Sequence, residues 1–502
     1  MKAASISKQK MQRAIFFLGH IGLAAAFFFQ GCTVGPKYQR ASAPVSAKWD
    51  IQEPWRVSTP QDSVNKGAWW TAFHDDDLAS LENDALSSNQ TLKLAMAHYE
   101  QARATASIQV AQLFPTFGTN PSIGRQRISG NRPQLSSFRS TGPITQSSVS
   151  LPFTVSYEVD LFGRRRRSIE AAEASYQSSA ADLQNVQLIV TAELAGDYFN
   201  LRQIDTELEI LKDTVASLQK GLDLVNSRHE GGISSGLEVA QEQTLMETTR
   251  TRATLLLQLR KQLEDAIAVL AGKPAPDFHM APKVLTSEVP GVEPGLPTDL
   301  LERRPDIAEA ERQMAAANAN IGLAKAAYFP SLNIFAQGGW LSADIAKLAN
   351  VQSAVWAVGA NVAETFFSGG ARRAQVQYAQ AGYDATVATY RESVLNALRE
   401  VQDGLTGLVV LEEAQRSQAE AIAATKRELD IATNRYKGGL VGYLDVVSAQ
   451  QNLLNNEQQA ASIQGQRMVT TVLLIKALGG GWDASSLAAV KVKPKLKDVV
   501  TP

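Results

Sequence analysis

The chain of 502 residues holds a single cysteine, Cys32. No disulfide can form within it, and no cysteine-based metal site can be built. Histidine is scarce as well. His20, His74, His98, His229 and His279 stand apart, and none pairs at helical i, i+4 spacing, which excludes a zincin-type centre. The chain also has no P-loop and no GxGxxG turn. No catalytic residue, metal or cofactor is therefore expected. Excess charge of one sign is missing too: the formal net charge is −1 and the pI near 6.6. Nucleic-acid binders are usually basic, so no nucleic-acid partner is expected. Proline is absent from the long stretches between Pro152 and Pro274 and between Pro330 and Pro494. Nothing there interrupts a helix.

Long apolar runs are equally rare, with one exception. Residues 14–29, AIFFLGHIGLAAAFFF, follow Lys2, Lys8, Lys10 and Arg13. A positive start before a short apolar run reads as a secretory signal, too short for a comfortable membrane span. Gly31 then precedes Cys32, as in a bacterial lipobox, although Phe29 stands where Leu is usual and Gln30 is atypical. Residues 1–31 are expected to be a lipoprotein signal peptide. Cys32 is the expected lipid attachment site, in the outer membrane because Thr33 rather than Asp follows it.

Two distant stretches say nearly the same thing: RHEGGISSGLEVAQEQ from Arg228 and RYKGGLVGYLDVVSAQQ from Arg435, an offset of 207. The same offset relates Arg165–Arg166 to Arg372–Arg373, Tyr176 to Tyr383 and Gly272 to Gly479. Further upstream it becomes 215, relating Phe114–Pro115 to Phe329–Pro330 and Leu86 to Leu301. Two similar halves follow, 78–273 and 298–479, with about eight extra residues in the first between its Phe-Pro pair and its Arg run. Three segments flank them: 32–77, 274–297 and 480–502.

Each half predicts one helix, two strands, and a hairpin of very long helices. The strands lie at about 115–162 and 330–367. In SSVSLPFTVSYEVDLF the odd residues Val149 to Leu161 are apolar and the even ones largely polar, as in a transmembrane barrel strand. Glu158 and Asp160 then fall on the lumen face. The loops at about 130–146 and 341–350 have outward-loop composition. Along the first hairpin, Leu194, Tyr198, Leu201, Ile204, Leu208, Leu211, Val215, Leu218, Leu222 and Val225 advance in threes and fours, the coiled-coil signature. A helix over residues 165–228 would be roughly 95 Å long. The Gly-Gly pairs make the reversals at about 229–237 and 436–444, supplying left-handed conformations. Leu237 and Leu444 are expected to restart the apolar seam. Four strands cannot close a barrel, and an open sheet in lipid leaves backbone unpaired, so the chain must assemble with copies of itself. Three copies give twelve strands.

The lipobox followed by CTVGPKY, the stretch from Trp69 to Leu78, Leu301 with Arg303–Asp306, YFPSL, DLFGR and RYKGGLVGYLDV together resemble the TolC-like outer membrane efflux proteins, in particular the NodT-type lipoprotein subgroup. The resemblance spans essentially the whole mature chain. It implies a homotrimeric twelve-stranded outer-membrane barrel, continuous with a periplasmic α-helical barrel and ringed by an equatorial belt drawn from the three flanking segments. It also implies a passive exit duct for drugs or other small molecules, partnered by a periplasmic membrane-fusion adaptor and an inner-membrane pump, often of the resistance-nodulation-division type. A protein-export duct and a pore-free coiled-coil spacer are the alternatives. By position, Arg228, Gly231, Gly232, Leu237, Tyr436, Gly438, Gly439, Leu440 and Leu444 would form the periplasmic tip that meets the adaptor. Leu444 would help constrict the pore. Relatives often carry an aspartate one turn later, where this chain has Ser448; Glu238, Glu242 and Asp445 are the nearby acids that could replace it. The run Arg164–Arg167 is expected at the inner membrane interface, and Trp69–Trp70 in belt packing.

Overall fold

A computed structural model of the chain describes residues 33–45, 49, 68–130, 142–291, 297 and 303–480. The signal segment 1–31, Cys32, Leu301 and the C-terminal segment from 481 onward lie outside the described residues.

Among the described residues the helices run α1 (Asp76–Ser88), α2 (Gln90–Ala111), α3 (Arg164–Glu230), α4 (Gly236–Leu270), α5 (Pro305–Ala326), α6 (Ala371–Lys437) and α7 (Tyr443–Ala477). The strands are β1 (Thr116–Thr119), β2 (Ser122–Ile128), β3 (Ile144–Val159), β4 (Ser331–Ser342) and β5 (Ala354–Ala363). The long helices α3 and α6 have 67 residues each, and α4 and α7 have 35 each. At 1.5 Å per residue, α3 is about 100 Å long. No described helix is long and apolar enough to cross a membrane.

The sheet is antiparallel throughout. β1 and β2 form one arm, broken at Asn120–Pro121, and both pair with β3; β3 pairs with β4, and β4 with β5. Proline lacks the N–H a ladder needs, which accounts for the break. Directly opposed residues share a face. Phe117 faces Val155, Leu151 faces Trp340, Tyr157 faces Ile334, and Gly338 faces Trp356. One face therefore carries Ile123, Phe153, Val358 and Val362 beside these side chains, and the other carries mainly Ser, Thr, Gln, Asn and Gly. In β4 and β5 the apolar positions are the even ones, and Ala336, Gly338, Ala354 and Ala360 dilute them, which blurred the alternation in the sequence.

Where β3 becomes α3 the four arginines divide their work. Arg164 and Arg165 pair with Glu158, and Arg166 with Asp160. Asp160 also accepts from the backbone N–H groups of Arg165 and Arg166 at 3.1 and 3.0 Å, capping the helix. Glu158 and Asp160, expected to line the lumen, are thus occupied by this junction. Arg167 is buried and donates to the carbonyls of Val34 and Gly35.

That contact begins a strap. Asn318 donates to the Pro36 carbonyl, Tyr38 to Glu311, Arg40 to the Tyr390 hydroxyl, and Arg391 to the Ser42 carbonyl. Residues 33–45, expected in the belt, instead run lengthwise from the sheet junction down α5 and α6. The side chains that donate to the strap's carbonyls, Arg167, Asn318 and Arg391, follow one another along the helices, not around them. Trp69–Phe73, expected in belt packing, form a 3-10 turn packed on α3 near Leu188 and Phe199, with Trp69 Nε1 donating to Thr191 Oγ1 at 3.3 Å. The segment 278–285 lies on the same helix, and its backbone meets Arg202, Asp205 and Thr206.

Candidate functional site

The far ends of the two hairpins meet each other. Each reversal is built the same way. Ile233 N–H donates to the Arg228 carbonyl at 2.8 Å, and Leu440 N–H to the Arg435 carbonyl at 2.9 Å. Gly232 N–H and Gly439 N–H each close an inner bond at 2.9 Å. This is the Schellman pattern, which requires one left-handed residue. Only the second glycine of each pair supplies it: Gly232 has φ 73° and Gly439 φ 69°, whereas Gly231 and Gly438 stay right-handed at φ −74° and −78°. Each Gly-Gly pair thus makes its reversal through one left-handed residue.

Side chains then tie hairpin to hairpin. The Tyr436 hydroxyl donates to Glu238 Oε2 at 2.7 Å and lies 3.1 Å from Ser234 Oγ. The Arg228 guanidinium sits 4.9 Å from the Tyr436 ring centre, a cation–π contact. Tyr436 and Tyr443 meet edge to face at 4.8 Å, packed with Val225 and Val446. Tyr436, expected among the docking residues, is 5% exposed. Its aromatic ring belongs to the interior of the tip because it closes the gap between the two reversals.

Glu242 is fully buried. Gly221 makes room for it, since a Cβ there would stand 2.2 Å from Glu242 Oε1. Gln450 Nε2 lies at 3.4 Å. Burial pushes the Glu242 carboxyl upward from its usual range, against the hydrogen bonds of Tyr443 and Gln450. The Tyr443 hydroxyl is raised by burial and by Glu242. Glu242 was expected to be a pore-lining acid; it packs from α4 between α3 and α7 instead. The helix phase that brings Leu245 and Met246 inward brings Glu242 inward as well.

The remaining expected residues divide by exposure. Leu440 is 72% and Leu444 58% exposed, and Asp445 and Ser448 are exposed with them. Leu444, Asp445 and Ser448 share one side of α7. Leu237 is also exposed, and Glu238 is half-buried by its bond to Tyr436. Leu237 and Leu444 therefore do not restart the seam; Val239, Tyr443 and Val446 do. Ile233, at the outermost point of the first reversal, is 71% exposed and was missed.

Tyr443, Ser234, Gly221 and Gln450 were missed too. The two copies carried a signal for Tyr443. At the 207-residue offset Tyr443 corresponds to Gly236 and Tyr436 to His229. The tyrosine pair exists in one copy only, so it serves something other than the shared turn.

Comparison with known proteins fits this geometry. The family described as outer membrane efflux protein matches residues 81–273 and again 296–480. The chain belongs to the outer membrane efflux protein family. The probable efflux pump outer membrane protein TtgC of Pseudomonas putida is 33% identical over 462 residues, spanning 91% of this chain and 94% of the relative. The toluene efflux pump outer membrane protein TtgF of Pseudomonas putida is 33% identical over 470 residues, spanning 92% and 97%. Among solved structures, the outer-membrane channel OprN superposes with a TM-score of 0.82 at 27% identity, covering 90% of this chain and 100% of that one. In this efflux protein the sheet and the hairpin tips mark opposite ends of one long path.

Proposed function

We propose that three copies of this efflux protein form a passive exit duct, carrying drugs or other small molecules from an inner-membrane pump and a periplasmic adaptor to the outside. One observation carries the reading. A sheet with an apolar face and two open edges stands on helices about 100 Å long that are not apolar enough for lipid. In a bilayer both edges must be paired, and three copies of four arms close a twelve-stranded barrel with the polar face inward. The helices continue it as a periplasmic tube.

The tips are the inner end. Leu440, Leu444 and Ile233 offer exposed apolar side chains to a periplasmic adaptor, and Leu444, Asp445 and Ser448 line the narrowed pore. The pump that feeds the duct is of the resistance-nodulation-division type, and it selects the cargo. Cys32 carries the lipid. Support comes from its neighbour: Val34 N–H donates to the Phe162 carbonyl at 3.2 Å, at the strand-to-helix junction where the membrane surface would lie. The anchor then sits beside the barrel it accompanies.

The test is native mass together with planar-bilayer conductance of the purified protein. A trimer with discrete, low, gated conductance is expected. A monomer without conductance at any voltage would overturn the shared barrel and leave a coiled-coil spacer.

A further inference from the structure

The two ends of the sheet treat their cations differently. At the end where strands become helices, Arg164 and Arg165 pair with Glu158, Arg166 with Asp160, and Arg372 with Glu364. At the far end, Arg125 and Arg127 on β2 are exposed, and neither forms an ion pair among the described residues. The sequence places no acid near them on their own hairpin. No Asp or Glu occurs between Glu100 and Glu158, and the same span has arginine but no lysine. In the second far turn the charges of Asp344 and Lys347 cancel, and Asp344 Oδ1 accepts from the Ala346 N–H at 3.0 Å.

Register fixes which way these cations face. Ile123 stands opposite Val149, Arg125 opposite Ser147 and Arg127 opposite Thr145. Directly opposed residues share a face, so both arginines lie on the apolar face, while Ser122, Gly124 and Gln126 lie on the polar one. Register also fixes their height. On β3 the apolar face is Val149, Leu151, Phe153, Val155, Tyr157 and Val159, and it turns polar at Ser147 and Thr145. From Val149 to Val159 the strand advances ten residues. At about 3.4 Å each and a tilt of about 40°, that is a rise of roughly 26 Å, matching the apolar band of an outer-membrane barrel. Arg125 and Arg127 then stand about 5 and 10 Å beyond the band, on the side away from the helices.

We propose that Arg125 and Arg127 form a binding site for phosphate groups of the outer-leaflet glycolipid, lipopolysaccharide. This rests on the barrel proposed above, which turns the apolar face to lipid and the helices to the periplasm. Orientation separates the lipid from the cargo: the two cations share a face with Ile123 and Val149, so they point away from the duct. Height separates the glycolipid from inner-leaflet phospholipid. A cation on the lipid face is costly at mid-membrane and tolerated among head groups. Residue type fits phosphate, because the guanidinium fork binds two of its oxygens at once. Two residues apart on one strand, the two forks start about 7 Å from each other and can share one phosphate. Ser147 and Thr145 beside them offer hydroxyls and no competing carboxylate.

Native mass of the full-length protein in detergent, titrated with purified lipid A, tests the site. The unaltered trimer should hold lipid A several-fold more tightly than dephosphorylated lipid A or phosphatidylglycerol. Excess inorganic phosphate should not displace it. Arg125→Gln with Arg127→Gln should weaken lipid A binding about ten-fold or more, as expected for two cations lost at an anionic surface. Conductance should not change. Lys347→Gln, at the other far turn, should leave binding as it was. Equal binding of dephosphorylated lipid A by the unaltered protein would overturn the phosphate site without any variant. Equal binding of phosphatidylglycerol would overturn the assignment to glycolipid, and displacement by inorganic phosphate would make it a free-anion site. An equal loss from Lys347→Gln, or none from the double variant, would remove Arg125 and Arg127 from it. A monomer by native mass would overturn the barrel itself, and this site with it.

Discussion

The Tyr436 hydroxyl reaches Glu238 Oε2 at 2.7 Å and so joins the two hairpin tips across 198 residues of sequence. Removing it separates the bond from the packing. Tyr436→Phe keeps the ring against Tyr443 and under Arg228 but leaves Glu238 and Ser234 without their shared partner. A hydrogen bond to a charged group contributes about 1.5–3 kcal/mol, enough to shift a closed–open balance by about ten-fold or more. The expected outcome is a larger share of time in high-conductance states, read as single-channel current, with the trimer intact. Unchanged current would mean that this bond does not hold the tip closed.

Glu82 on α1 is fully buried, and neither of its carboxylate oxygens meets a partner among the described residues. Burial raises its carboxyl from 4.5 to about 9. A raised acid means that the folded state binds the proton more tightly than the unfolded one. Stability from this group is therefore full below about 4.5 and falls as the pH rises toward about 9. By pH 7 the loss is on the order of 3 kcal/mol per chain. Glu82→Gln should flatten the decline in thermal midpoint between pH 5 and pH 8 and raise the midpoint at pH 8. A slope identical to the parent's would show that Glu82 does not titrate in that range. Asp197, raised by burial and by Glu193 to about 6, contributes a smaller slope of the same sign.

Asp205 anchors the segment 278–285 to α3. It accepts from Arg202 at 3.0 Å, from Arg260 at 2.6 Å and from Lys283 N–H at 3.0 Å, with its side chain 1% exposed. Asp205→Ala removes the acid that Arg202 and Arg260 share, and breaking a buried pair costs about 3–5 kcal/mol. The expected result is a lower unfolding midpoint and early proteolysis within 274–291. Asp205→Asn, which can still accept, should lose less. Equal losses for both variants would assign the effect to charge rather than to the lost acceptors.

The long elements were legible because their signals accumulate. Ten heptad positions from Leu194 to Val225 outvote any local exception, and the offset of 207 fixes two helices at once. The tips were less legible because a Schellman turn resets helix phase. Nothing upstream of Gly232 or Gly439 specifies which side of the next helix faces in, so the sequence pattern alone assigns Leu237 and Leu444 to the seam and Glu242 to the pore, against the structure. Glu82 was hidden for the opposite reason. In LASLENDAL it reads as one more polar residue on an amphipathic helix, and only the packing of α1 on α3 closes it off. The strap at 33–45 has no periodicity; its course is set by Arg167, Asn318 and Arg391, side chains remote in sequence.

The side of α7 that bears Leu444, Asp445 and Ser448 yields the last prediction. Threefold symmetry turns each residue lining a narrow pore into a ring of three, and acidic rings attract cations. With Ser448 uncharged, Asp445 is the exposed acid on this side of α7. Asp445→Asn should lower the cation-to-anion permeability ratio, read as reversal potential under a salt gradient. Ser448→Asp should raise it by adding a second ring one turn away. Both effects should weaken as ionic strength rises and the Debye length falls toward about 3 Å at 1 M. Opposite shifts from the two variants would establish that this face lines the pore. If neither variant moved the reversal potential, Asp445 would be a solvated residue outside the pore.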